Sequence, residues 1–163
     1  MPRHKKIRSL EQLTKLRKKL KREGRRVVFT NGCFDILHRG HIECLKKAKS
    51  LGDVLIVALN SDASVRKLKG DARPIVRQTD RAEVLASLEM VDYVLIFGEE
   101  TPKRIIAALI PDVLVKGGDY KEEEVVGKDI VESAGGRLIR VKPVPRRSTK
   151  NIIQTIIDRC GGV

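Results

Sequence analysis

Four short apolar runs, unbroken by polar residues, recur along the chain with room for a helix between each pair. They are the centres of "RRVVFT" (25–30), "DVLIVAL" (53–59), "DYVLIF" (92–97) and "DVLVK" (112–116). A strand covered on one face alternates apolar and polar residues; a strand covered on both faces is apolar throughout. A fifth run, "RLIRV" (137–141), completes the series, and helical patterns lie between the runs at about 41–51, 62–69, 79–90, 102–109 and 122–134, with a last one near 149–159. This alternation predicts an α/β fold, a doubly wound five-stranded parallel sheet with helices on both faces and right-handed crossovers.

In a Rossmann-like sheet of this kind, ligands bind beyond the carboxyl ends of the strands. The chemically interesting residues follow the strands here: "TNGCFDILHRGH" after the first, "NSD" after the second, "FGEETP" after the third, "KGGDY" after the fourth and "KPVPRRSTKN" after the fifth. At 163 residues, with no internal repeat or low-complexity linker, the chain reads as a single domain over 1–163. It has no run of eighteen apolar residues and no apolar segment after Met1, so neither a membrane span nor a secretory leader is expected. Cys33, Cys44 and Cys160 are odd in number and scattered, which suits a reducing cytoplasm better than a disulfide framework.

The net charge of +13 raises the question of nucleic acid, and its distribution answers much of it. Residues 1–26 carry +10, leaving the other 137 residues near neutral. That basic segment, 1–24, reads as an amphipathic helix: Ser9 caps it with Gln12 three residues on, Leu10, Leu13, Leu16 and Leu20 share a stripe, and Gly24 ends it. The leucines are expected to pack on the domain with lysines facing water, and deletion of residues 1–8 is expected to leave activity intact. Five aromatic residues in the whole chain supply no base-stacking platform, so no nucleic-acid partner is expected.

The stretch "NGCFDILHRGH" (31–41) sits between a strand and a helix. Gly32 and Gly40 permit close backbone approach. The helix beginning near Gly40 points its positive pole and its free N–H groups at that loop, where an anion is favoured. His38 and His41, three apart, can reach the same anion. The GxGxxG and GxxxxGK[ST] phosphate motifs are absent. Three other readings remain open at this point: a metal held by the two histidines, which would need further ligands, histidines that merely cap a helix, and a phosphorylated histidine nucleophile.

These residues carry a resemblance. "GCFDILHRGH" resembles the HxGH signature of nucleotidyltransferases, and the stretches "KLKGDARP", "PDVLVKGGDY" and "RSTKNII" make the chain most similar to heptose 1-phosphate adenylyltransferases, which occur alone or as the C-terminal half of a bifunctional heptose kinase. The resemblance covers roughly residues 9–157. It implies transfer of AMP from ATP, with Mg²⁺, to D-glycero-β-D-manno-heptose 1-phosphate, giving ADP-heptose and pyrophosphate for a surface glycan. The implied partners are small molecules, with no membrane and with a homodimer as an open arrangement.

By the same resemblance, His38 and His41 contact the triphosphate, and Lys67 and Lys69 reach phosphates of both substrates. Cys33, Phe34 and Gly40 line the nucleotide pocket, with Asp35 orienting the loop. Gly118 and Asp119 meet the adenosine, while Arg147, Ser148 and Thr149 hold the β- and γ-phosphates. Asp62 and Arg81 bind the acceptor. No protein-bound metal is implied. The last motif departs from the family pattern, since Arg146, Arg147 and Lys150 surround Ser148 and Thr149. A cytidylyltransferase acting on glycerol 3-phosphate is the alternative. Glu89 in "EMVD", where those enzymes carry arginine, speaks against it.

Overall fold

A computed structural model describes residues 4–118 and 121–161. The five apolar runs form β1 (Val27–Gly32), β2 (Val54–Asn60), β3 (Tyr93–Phe97), β4 (Val113–Gly117) and β5 (Arg137–Val141). All pair in parallel in the order β3-β2-β1-β4-β5, with Val27 opposite Val54 and Val28 opposite Val113. The connections run through α2 (Arg39–Lys49), α3 (Asp62–Lys69), α4 (Gln78–Ala86), α5 (Lys103–Leu109) and α6 (Lys128–Ser133), with α1 (Leu10–Arg22) before the sheet and α7 (Thr149–Cys160) after it.

The unbroken apolar runs are explained by two cores, one on each face. Val27 and Phe29 of β1 pack with Leu13 and Leu20 of α1, Ile105, Ile106 and Leu109 of α5, and Val131 of α6. Val28, between them in sequence, points the other way to Leu45 and Ala48 of α2 and Leu85 and Ala86 of α4. Polar residues in β1 or β2 would face one core or the other.

The N-terminal helix forms as its sequence suggests. Ser9 and Gln12 make a reciprocal capping box, and Gly24 adopts a left-handed φ of +66° just past the end. Leu13 and Leu20 are buried, while Leu10 and Leu16 are partly so. Arg17, on the same stripe, is also buried: it donates to the Leu109 and Ile110 carbonyls and pairs with Asp112 at 2.9 Å. The other Asp112 oxygen accepts from the N–H of Val27. The segment just before Ser9 is also part of the fold. Ile7, only 7% exposed, forms a parallel bridge with Val94, and Arg8 and Lys6 exchange backbone hydrogen bonds with the same residue.

Two helices are shorter than the pattern indicates. The helix expected over 79–90 stops at Ala86, with Ser87 returning its hydroxyl to the Glu83 carbonyl. The one expected over 122–134 is a single 3-10 turn at Glu122–Glu124 followed by α6, separated by Gly127 at φ +87°. A Cβ on Gly127 would stand 2.6 Å from Ile106 Cδ1, so close packing on α5 sets the break. Among the described residues, no helix is long and apolar enough to cross a membrane.

Candidate active site

β1 ends in Asn31 and Gly32, and the chain then turns sharply. Phe34 takes a left-handed φ of 43°, a strained conformation for a bulky residue, and lays its ring 5.1 Å from that of His41. Asp35 fixes this turn. Its buried carboxylate accepts from the N–H groups of Ile75 and Val76 and pairs with Arg73. Burial alone would raise its pKa, but the two N–H donors and the arginine outweigh it and hold the carboxyl below the usual range. Asp35 thus orients the loop by tying it to a segment some forty positions on.

Helix α2 begins at Arg39, and His38 is its N-cap: Nδ1 accepts from the Gly40 N–H at 3.1 Å. The Gly40 N–H expected to be free is therefore already occupied. In the neutral ring this assigns the proton to Nε2, which leaves a donor for a ligand. The His41 ring stacks on that of His38, centroids 3.8 Å apart and 25° between planes. Burial, and secondarily the neighbouring His38, push the His41 pKa down to about 4, and burial lowers that of His38 as well. Both rings are neutral at pH 7. His41 Nδ1 is buried with no hydrogen-bond partner, an orphan that a bound group can satisfy.

The last loop closes over this helix start. A Cβ on Gly40 would come within 3.1 Å of the Arg147 carbonyl and 2.9 Å of the His38 ring, so only glycine fits. Thr149 Oγ1 reaches the Ile36 carbonyl, and Ser148 caps α7 by accepting from the Asn151 N–H. Arg146 takes a left-handed φ of 58°, which sets the backbone path through "RRSTK". Two helix starts, α2 and α7, thereby border one space.

On the strand beside β1 lies Lys116 of β4, which the sequence did not single out. Its amine is 3.4 Å from Asn31 Oδ1. Burial lowers its pKa, with the Cys33 and Cys44 thiols partly opposing and Lys69 adding to the effect. Burial likewise raises the Cys33 and Cys44 thiols, which stay protonated. Cys44 also explains Gly117, where a Cβ would meet the sulfur at 2.9 Å. Because β2 and β3 lie on one side of β1 and β4 and β5 on the other, Asn31 and Lys116 flank the point where strand order reverses. That point is the usual ligand crevice of open α/β sheets.

The remaining predicted residues divide. Lys69 lies close enough to act on Cys33 and Lys116, and Lys67 and Lys69 are both exposed on the last turn of α3. Gly118 continues from β4 with φ 116° and donates to the Val141 carbonyl. Asp119 lies outside the described residues. Arg81 does not face the crevice as an acceptor ligand would. Its guanidinium is fully buried and donates to the carbonyls of Val76, Cys33 and Asn60 and to Asp62 at 2.7 Å. It acts as a brace joining three loops, and Asp62 is its partner, with the carboxylate partly exposed. Among the described residues, no three His, Cys, Asp or Glu side chains are grouped to hold a metal ion.

Comparison with known proteins agrees with this geometry. A family model described as cytidylyltransferase-like matches residues 29–156. The bifunctional protein HldE of Syntrophotalea carbinolica is 54% identical over 154 residues, 94% of this chain and 31% of that protein. HldE of Geobacter metallireducens is 56% identical over 156 residues, 96% of this chain and 32% of that one. The chain therefore spans about a third of the length of these curated relatives. Among solved structures, the lipopolysaccharide core biosynthesis protein from Thermoplasma volcanium is similar with a TM-score of 0.61 and 30% identity, covering 74% of this chain and 98% of that one. Pantoate-beta-alanine ligase from Francisella tularensis, with a TM-score of 0.60 at 19% identity over 83% of this chain and 66% of that one, shares the fold. The family match runs from β1 through the HRGH turn to α7, and the chain belongs to the cytidylyltransferase-like family of nucleotidyltransferases.

Proposed function

We propose that the chain transfers AMP from ATP to D-glycero-β-D-manno-heptose 1-phosphate in the cytoplasm, releasing pyrophosphate and making ADP-heptose. The observation that carries this reading is the pair of stacked histidines at the start of α2, one with a buried nitrogen lacking a partner, in the crevice beside Lys116. The acceptor is inferred from the relatives, which bear the name HldE, and from the lipopolysaccharide core biosynthesis protein.

The acceptor phosphate, with a second pKa near 6, is ionised at pH 7 and needs no general base. One of its oxygens attacks the α-phosphorus of ATP, the bond to the β-phosphate breaks, and pyrophosphate leaves with the electron pair. The protein has to bring two anions together and stabilise the charge that builds on the phosphate oxygens. His38 Nε2–H and His41 serve as neutral donors to those oxygens, and Lys116 and Lys69 supply positive charge. Ser148 and Thr149 bring the α7 start to the β- and γ-phosphates, with Arg147, while Gly118 and Asp119 meet the adenosine. Lys67 approaches the acceptor phosphate, and Asp62, held by Arg81, orients the acceptor sugar. The donor set suits phosphate oxygens rather than a cation. Mg²⁺, which prefers oxygen ligands and keeps its waters, would be held chiefly by the triphosphate and neutralise it.

Pyrophosphate release measured over a matrix of triphosphates and acceptors tests the reading. ATP with heptose 1-phosphate should exceed CTP with glycerol 3-phosphate by orders of magnitude. Equal rates, or a preference for CTP, would reverse the assignment.

A further inference from the structure

The crevice does not use the charge concentrated at the N-terminus. Part of that charge surrounds a separate cavity of about 410 Å³ at the opposite, amino-terminal edge of the sheet. Lys21 reaches it from the last turn of α1, Arg25 and Arg26 from the segment leading into β1, and Arg137 from the first residue of β5. The lining includes the Arg17–Asp112 pair, Arg17 buried and Asp112 partly exposed, which is held by the Ile110 carbonyl and the Val27 N–H. Asp112 is, among the described residues, the one acidic residue in the lining, and it is already engaged twice. Among the described residues, the side chains of Lys21, Arg25, Arg26 and Arg137 make no hydrogen bond or ion pair.

Four unpaired cations around one concavity repel one another, and bringing them together stabilises nothing until an anion enters. The cavity has the size of a small-molecule pocket. Its charge calls for several negative oxygens, which guanidinium groups bind in pairs. A nucleic-acid strand would need an extended track with stacking rings, and among the described residues no aromatic side chain lines the cavity. β1 alone separates this edge from the crevice by roughly 20 Å, so an occupant here is not a reactant. We propose that this cavity is a second anion site, binding a small polyvalent phosphate as an effector.

The test uses the full chain and inorganic tripolyphosphate at low salt, followed by amide chemical shifts. The crevice can bind the same probe, and position separates the two. Saturable shifts are expected at Gly24, Gly135 and Arg137 in addition to those at Gly40 and His41. In Arg25→Glu/Arg137→Glu, the first set should weaken by about tenfold or more in affinity while the second persists. Arg25→Lys/Arg137→Lys, which keeps the charge, should retain most of the binding and controls for folding. Shifts confined to the crevice, or cavity shifts indifferent to charge reversal, would overturn the proposal. So would a cavity that responds to a single-stranded oligonucleotide but not to tripolyphosphate.

Discussion

His41 carries the proposed chemistry in a form that can be read thermodynamically. Its pKa is held near 4 by burial, whereas in the unfolded chain it is near 6.5. As pH falls below 6.5 the unfolded state takes up a proton that the folded state refuses, so stability is lost between pH 6.5 and 4, by up to about 3 kcal/mol. Urea denaturation across that range should show this loss, and His41→Asn should lack the part due to His41. With substrate bound, the same ring is proposed to face developing charge. His41→Ala is therefore expected to lower kcat on the order of 10²–10³-fold with little change in KM for ATP; a near-normal kcat would refute its role. Lys116 makes a complementary case. Its amine donates to Asn31 in the crevice, so Lys116→Met is expected to lower kcat by about tenfold or more, read from pyrophosphate release. The histidines were legible because they lie three apart in one motif. Lys116 was not: at the end of "DVLVK" it reads as the polar close of a strand, and only folding brings it to Asn31, 85 positions away. Arg81 misled for a related reason. A cation in the first turn of a helix looks solvent-facing, and nothing local announces the carbonyls of Cys33 and Asn60 that draw it inward.

Elements were legible where their signals are local. Unbroken apolar runs marked the first four strands and the mixed run "RLIRV" the fifth, and the Ser9–Gln12 box with Gly24 marked both ends of α1. The signals failed where a distant neighbour decided the outcome. Gly127 interrupts a helical pattern because Ile106 of α5 packs against its bare Cα, and Ile7 joins the edge of β3 through a single bridge that no periodicity can reveal. That bridge separates two truncations. Removal of residues 1–5 should leave the melting temperature unchanged. Removal of 1–8 uncovers Val94 and loses a buried isoleucine, which should cost about 2–3 kcal/mol in chemical denaturation. Equal stability of the two would show that the edge bridge contributes nothing.

Across the whole molecule, the parallel sheet separates two charged edges, a crevice at the strand ends and a basic cavity at the strand starts, each with its own internal brace. Arg81 draws together the loops after β1 and β2 and the segment at Val76. Arg81→Ala leaves Asp62 and three carbonyls without their partner and should destabilise the fold by about 3–5 kcal/mol, measured by urea denaturation. Arg81→Lys, unable to reproduce the fork, should recover only part of that. At the other edge, Arg17 joins α1 to Asp112, 95 positions later. Translation proceeds at roughly 5–20 residues per second, so α1 leaves the ribosome on the order of 5–20 seconds before its counter-ion. During that interval Leu13 and Leu20 have no α5 to cover them, and a nascent-chain chaperone would meet an uncovered basic amphipathic helix. A helix synthesised before the sheet it packs on is thus among the last parts of the domain to be locked in place.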